Sequence, residues 1–269
     1  MSDFMYSLAQ RLLEPQKSRG LRKTEVEDFT LGLLSILFPE RGIEDLNLEK
    51  LSVFLRKKRF ILINMLESLD FNRCEFIADQ FFQYLPLLKE KLKKDAAFFL
   101  EEDPASKGPE EVILCYPGFL ALGVYRMAHF FFQNQVPLLP RMMTEFAHEK
   151  TGIDIHPGAE LGCPLLLDHG TGIVIGETAS VGNYSKIYQG VTLGALSVNK
   201  NLRQKVRHPT IGEYCVIYSN ATILGGKTFV GHHSIIGGNV WLTESVPPFS
   251  LIFHEREKTG QKLKVRYYK

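Results

Sequence analysis

No two of the four cysteines, Cys74, Cys115, Cys163 and Cys215, form a Cys-x-x-Cys pair or carry zinc-site spacing. The expectation is four reduced core thiols in a reducing compartment. No two histidines stand five positions apart, so a trimer-type metal site built on a His-x4-His pair is not expected, and neither is a bound metal. Residues 1–10 have neither the basic region nor the long apolar run of a secretory leader. The most apolar stretch, residues 119–132, is interrupted by Arg126 and His129 and is too short to span a bilayer. A cytoplasmic protein without a membrane partner is expected. Charge of one sign is also missing: 32 basic against 30 acidic residues leave a net +2, which implies no nucleic-acid partner.

What is present divides the 269 residues in two. Up to about residue 150, apolar residues recur at three- and four-residue steps over 26–38, 51–69 and 76–100, which predicts an α-helical domain over 1–150. Asp103-Pro104 stops the long helix, and a further helix is expected over 119–133.

Beyond Gly152 the period becomes six. Ile155, Leu161 and Leu167 are followed, after a two-residue slip at 173–175, by Val181, Ile187 and Leu193. Ile211, Ile217 and Ile223, then Val230, Ile236 and Leu242, continue the series, with a one-residue slip at Thr228-Phe229. Glycine often comes next, and a small or β-branched residue stands four places on. A six-residue period is the signature of a parallel β-helix, each hexapeptide forming one flat side of a triangular coil with its aliphatic residue inward. A β-sandwich would alternate with period two. The following glycines are read as corner residues with unusual backbone angles. The expected fold is therefore α+β: a helical domain, then a left-handed parallel β-helix over 151–248, then a tail over 249–269. Asn199 and Lys205 would fall at inward positions, so 196–206 is expected to leave the coil as a basic loop carrying Lys200, Arg203 and Lys205.

Polar residues cluster at Asp154-Ile155-His156-Pro157, Leu167-Asp168-His169-Gly170-Thr171-Gly172 and Arg207-His208-Pro209. Because Leu167 is inward, Asp168 and His169 lie at a corner or outer face, within reach of a substrate. A neutral imidazole beside a carboxylate can take the proton of a hydroxyl as it attacks a thioester. No Cys-His motif calls for an acyl-enzyme. His156 reads as structural, and His232 and His233 as exposed corner residues.

These motifs, with Gly190-Val191-Thr192-Leu193-Gly194 and Val246-Pro247-Pro248, resemble the serine acetyltransferase family over roughly residues 103–248. The resemblance implies acetyl transfer from acetyl-CoA to the hydroxyl of L-serine, the first step of cysteine synthesis, in trimers or dimers of trimers. It implies His169 as general base with Asp154 as its partner, and Asp103 and Asp168 on the substrate ammonium. Arg207 would hold the carboxylate, and His208, coming from a neighbouring subunit, would also line the pocket. Gly194, Ala195, Ser219, Gly237 and Gly238 would line the acetyl-CoA path between adjacent β-helices. The departures are the longer loop after Gly194-Ala195, the bulky Tyr218 where the family has a small residue, and the C-terminal segment. Because the chain ends in Lys269 rather than isoleucine, no cysteine synthase complex of the isoleucine-tail type is expected. The alternatives are another hexapeptide acyltransferase with a different hydroxyl or amine acceptor, and a non-catalytic assembly protein of the same fold.

Overall fold

The computed structural model describes residues 5–8, 20–42, 46–197, 205–257 and 260–267, with the side chains of 256, 257 and 260–262 left aside. Among the described residues, a helical turn at 5–8, a 3-10 turn at Pro39–Arg41 and six α-helices of stated bounds precede the strands: α1 (Lys23–Leu37), α2 (Leu48–Glu67), α3 (Cys74–Glu102), α4 (Pro109–Cys115), α5 (Pro117–Gln133) and α6 (Leu139–Thr151). The four expected helical stretches correspond to α1, α2, α3 and α5; α4 and α6 were not foreseen. Their apolar faces pack into one core that includes Phe29, Leu66, Phe81, Leu92, Phe119 and Phe131, all 1% exposed or less. Among the described residues no single helix is long and apolar enough to cross a membrane.

Among the described residues fifteen strands follow, β1 (Asp154–Ile155) to β15 (Gly260–Tyr267). They form the three faces of a left-handed parallel β-helix. The first face is ordered β1, β4 (Val174–Ile175), β7 (Thr192–Gly194), β10 (Thr222–Leu224), β13 (Trp241–Leu242); the second β2 (Glu160–Leu161), β5 (Ser180–Val181), β8 (Thr210–Ile211), β11 (Phe229–Val230); and the third β3 (Leu165–Asp168), β6 (Ser185–Tyr188), β9 (Val216–Ile217), β12 (Ile235–Ile236), β14 (Ser250–Glu257), β15. Within the first face Asp154 aligns with Val174, Val174 with Thr192, Thr192 with Thr222 and Thr222 with Trp241, steps of 20, 18, 30 and 19 residues. An 18-residue coil is three hexapeptides, so the two slips read from the sequence are extra residues in the first and fourth steps. The 30-residue step holds twelve residues more than a coil, the excursion expected at 196–206. Lys205 is exposed at its end, while Lys200 and Arg203 lie outside the described residues.

The inward column is the one the period predicts. Ile155, Leu167, Ile175, Val181, Ile187, Leu193, Ile211, Ile217, Ile223, Val230, Ile236 and Leu242 are all buried, and Leu161 packs against the same core. Full burial of each such side chain is worth about 1.5–3 kcal/mol. The small residues four places on, Ala159, Ala179, Ser185, Cys215, Ala221 and Ser234, are buried as well, and the Ser185 hydroxyl donates to Gly212 O at 3.0 Å. Of the four free thiols only Cys215 is buried; Cys74 and Cys163 are half-buried and Cys115 is exposed, which corrects the expectation of a wholly core set.

The glycines after the aliphatic residue serve a different purpose from the one expected. Gly162, Gly182, Gly212 and Gly231 form a column in which an added Cβ would lie 2.2–2.6 Å from a backbone nitrogen of the next coil. Close coil-to-coil approach excludes a side chain there. The left-handed corner angles fall mostly on other residue types, among them His169, Tyr184, Tyr214, Asn220, His233, Asn239 and Phe249. Tyr184, Tyr214, His233 and Phe249 stack in a parallel ladder down one corner, so His233 is half-buried rather than exposed.

The helical domain is tied to the first coil by a buried ion pair. Asp95 of α3, fully buried, receives Arg126 Nε at 2.7 Å and Nη2 at 2.8 Å. Arg126 also donates to Gly162 O at 2.9 Å, and Leu165 N donates to Asp95 Oδ1 at 3.0 Å. This clasp holds both ends of the turn that leads into β3 (Leu165–Asp168). The segment expected to be a tail is instead a hairpin. β14 (Ser250–Glu257) extends the third face in parallel and β15 returns antiparallel to it.

Candidate active site

One cluster occupies the turn from the third face to the first. β3 ends at Asp168, and His169 follows with φ 56°, a left-handed conformation that turns its ring outward. The His169 side chain is 71% exposed, with Nδ1 3.7 Å from Asp168 Oδ1. The parallel register places Tyr188 of β6 (Ser185–Tyr188) beside Asp168. The C-terminal end of α3 meets the same spot, where Glu102 pairs with Lys186 at 2.7 Å. Asp103 accepts from Ala105 N at 2.9 Å and from the Tyr116 hydroxyl at 2.6 Å, a bond that pushes the Tyr116 phenol up to about 12. The Tyr188 phenol is also raised, by burial first and then by Asp168, Tyr218, Glu102 and Asp103. Asp103 and Asp168, far apart in sequence, therefore both act on the Tyr188 phenol, and with Glu102 they put three carboxylates against one ammonium, that of Lys186, near an exposed imidazole.

A second cluster occupies the turn from the first face to the second. Arg207 pairs with Glu177, and the Arg207 backbone N–H donates to Thr178 Oγ1 at 2.9 Å. The His208 ring lies over Gly176, where a Cβ would come within 2.1 Å of it. Thr178 N donates to His208 Nδ1 at 3.1 Å, which leaves the ring proton on Nε2. Burial, then the nearby Arg207, hold the His208 imidazole down at about 4, with Glu177 opposing. His208 is thus neutral near pH 7 and offers an Nε2–H donor next to a guanidinium, a combination suited to a carboxylate. His156, also pushed down chiefly by burial, accepts from Gly158 N at 3.0 Å and serves its own turn.

Asp154 opens β1 with its carboxylate accepting from Arg141 Nη1 at 3.0 Å; no hydrogen bond joins it to His169 among the described residues. Arg141 also pairs with Glu145. Glu145, His148 and Asp154 place ligand atoms within 4.8 Å of one another, but the guanidinium already bridges the two carboxylates.

The five residues expected along acetyl-CoA divide between the same two turns. Ser219, Gly237 and Gly238 continue down the His169 corner, where Asn239 N donates to Ser219 O at 2.9 Å and Asn220 N to Gln189 O at 2.9 Å. Gly194 and Ala195 leave β7 (Thr192–Gly194) at the Arg207 corner, where Gly225 N donates to Gly194 O at 3.0 Å. The sequence reading missed Tyr188, Tyr116, Thr178 and Arg141. Tyr188 had a signal, since it follows inward Ile187 as Asp168 follows inward Leu167. Arg141 had none, because α6 was unrecognised.

None of the protein-family models compared with the chain matches it. The plasmid serine acetyltransferase of Synechococcus elongatus is 46% identical over 181 residues, covering 65% of this chain and 56% of that protein. The chain thus spans little more than half the length of that curated relative. Among solved structures, Entamoeba histolytica serine acetyltransferase 1 in complex with L-cysteine superposes with TM-score 0.76 at 34% identity, covering 88% of this chain and 87% of that one. Neisseria gonorrhoeae serine acetyltransferase in complex with serine gives TM-score 0.62 at 28% identity, covering 84% and 81%.

Proposed function

The chain belongs to the serine acetyltransferase family, and from that premise we propose that it transfers the acetyl group of acetyl-CoA to the hydroxyl of L-serine, giving O-acetyl-L-serine and CoA. The observation that carries the reading is the sorting of polar residues onto two edges of one β-helix face. An imidazole with a carboxylate pocket stands at one edge, and a guanidinium with a neutral imidazole donor stands at the other. Together they match a small zwitterion that presents a hydroxyl.

His169 takes the serine hydroxyl proton as the oxygen attacks the thioester carbonyl, and the imidazolium returns that proton to the departing thiolate. Asp103 and Asp168 hold the ammonium. Asp154 is assigned as the carboxylate that steadies His169, a role in which it exchanges Arg141 for the imidazole. Arg207 and the Nε2–H of His208 hold the substrate carboxylate. Because the two clusters lie at different turns, the site is completed where the His169 edge of one subunit meets the Arg207 edge of the next. A trimer, or a dimer of trimers, supplies that junction by heterologous contact. Acetyl-CoA lies in the same groove against Gly194, Ala195, Ser219, Gly237 and Gly238.

Thiol release from acetyl-CoA, measured with a panel of amino acids, amines and sugars, tests the assignment. Release is expected to depend on L-serine and to fail with acceptors lacking either the ammonium or the carboxylate. Equal release with a sugar or a simple amine would replace serine as the substrate.

A further inference from the structure

The outward residues at the end of the third face form a broken aromatic column. Inward Leu167, Ile187, Ile217, Ile236 and Ile252 are aligned in register and buried. The next residue in each coil therefore points out: Asp168, Tyr188, Tyr218, Gly237 and Phe253. Tyr188 and Tyr218 stack with centroids 5.1 Å apart and planes at 18°. Gly237 then interrupts the column, and Phe253 resumes it one strand later. The glycine is compatible with the tight approach of β14, since a Cβ there would lie 3.0 Å from Ile252 O and 3.3 Å from Phe253 Cβ. The outcome is a notch walled by two rings. Two strand spacings separate these walls, about 9–10 Å. That admits one planar ring with a centroid separation of about 4.5–5 Å on each side, the range of stacked aromatic pairs.

The far wall is electropositive. Arg266 of β15 lies over the Phe253 ring, 5.0 Å from its centroid. Lys264 is the register partner of Phe253. These two cations share one carboxylate, Glu255, so the described side chains of this part of the hairpin keep an excess positive charge. A flat heterocycle joined to phosphates has this combination of shape and charge.

We propose that the Tyr218–Gly237–Phe253 notch binds the adenine of acetyl-CoA, with Arg266 and Lys264 meeting its phosphates. The proposal rests on the acetyl-CoA reading above. From Asp168, beside the reacting centre, to Gly237 is three strand spacings, about 14 Å. This is shorter than the fully extended pantetheine and pyrophosphate arm, so the donor bends at its pyrophosphate beside the basic strand. Tyr218, the bulky residue where the family has a small one, thereby becomes a specificity determinant for the nucleotide end of the donor.

Adenosine 3′,5′-bisphosphate supplies a test without turnover. Calorimetric titration is expected to show binding weakened about tenfold or more by Tyr218→Ala, with affinity kept by Tyr218→Phe. Activity supplies the second readout: kcat/KM for acetyl-CoA relative to S-acetylpantetheine, which has no nucleotide, falls about tenfold in Tyr218→Ala and is kept in Tyr218→Phe. The ratio is insensitive to a general loss of folded enzyme. Nucleotide affinity and donor ratio both unaltered in Tyr218→Ala would overturn the notch. An acceptor other than serine would overturn the proposed function and leave the nucleotide titration standing.

Discussion

Replacing His169 with alanine lowers serine-dependent CoA release by about two to four orders of magnitude, the contribution of a positioned general base. The loss falls on kcat, because the groups assigned to the ammonium and carboxylate, Asp103, Asp168, Arg207 and His208, all remain. The protein tolerates the change. The His169 side chain is 71% exposed and, among the described residues, contributes no hydrogen bond to the coil beyond its backbone. The left-handed φ of 56° favours histidine somewhat over alanine, so the stability cost of the change is expected to be small. Steady-state kinetics with thermal unfolding of the same sample distinguish a chemical from a structural effect. Half or more of wild-type kcat, with the melting temperature unchanged, would reassign the base.

The largest stability effect is expected at Asp95. Asp95→Leu leaves the Arg126 guanidinium, 4% exposed, without its charge partner, and an uncompensated buried charge costs about 3–5 kcal/mol. Arg126 keeps one acceptor, Gly162 O, while Leu165 N loses its own, so both ends of the turn entering β3 are affected. The double variant Asp95→Leu/Arg126→Met removes both charges and recovers much of the loss, because apolar replacement of a whole buried pair is often nearly neutral. Urea unfolding at fixed protein concentration measures both. A single-variant loss below about 1 kcal/mol would show that the clasp carries little of the contact between helices and β-helix.

The β-helix was legible because its period is enforced by geometry: a prism three hexapeptides around must bury an aliphatic residue every six positions. Even the irregularities at 173–175 and 228–229 correspond to coils of 20 and 19 residues. The role of the repeat glycines was not legible, since close approach between coils and left-handed corners both select glycine, and only coordinates separate them at Gly182 or Gly212. The helix α4, seven residues beginning at Pro109, is too brief for an amphipathic period to stand out, whereas α6 does carry one, with Leu139, Met143, Phe146 and Ala147 buried, that the motif-led reading of this stretch passed over. The C-terminal hairpin has no hexapeptide spacing, although Leu263, Val265 and Tyr267 alternate with Lys264 and Arg266 as a strand does. The candidate site residues were named from motif and resemblance. Their division between two turns, and the engagement of Asp154 by Arg141, are tertiary facts with no local sequence signal.

Complementation between inactive subunits tests the shared-site account most directly. His169→Ala and Arg207→Ala each remove one edge of the groove, so each parent alone is expected to be nearly inactive. If the site joins His169 of one subunit to Arg207 of the next, random mixing by co-expression leaves about a quarter of the junctions with both residues intact. Activity near that fraction of wild type is the expected result. Mixed oligomers no more active than their parents would place both residues in one subunit's site and contradict the account.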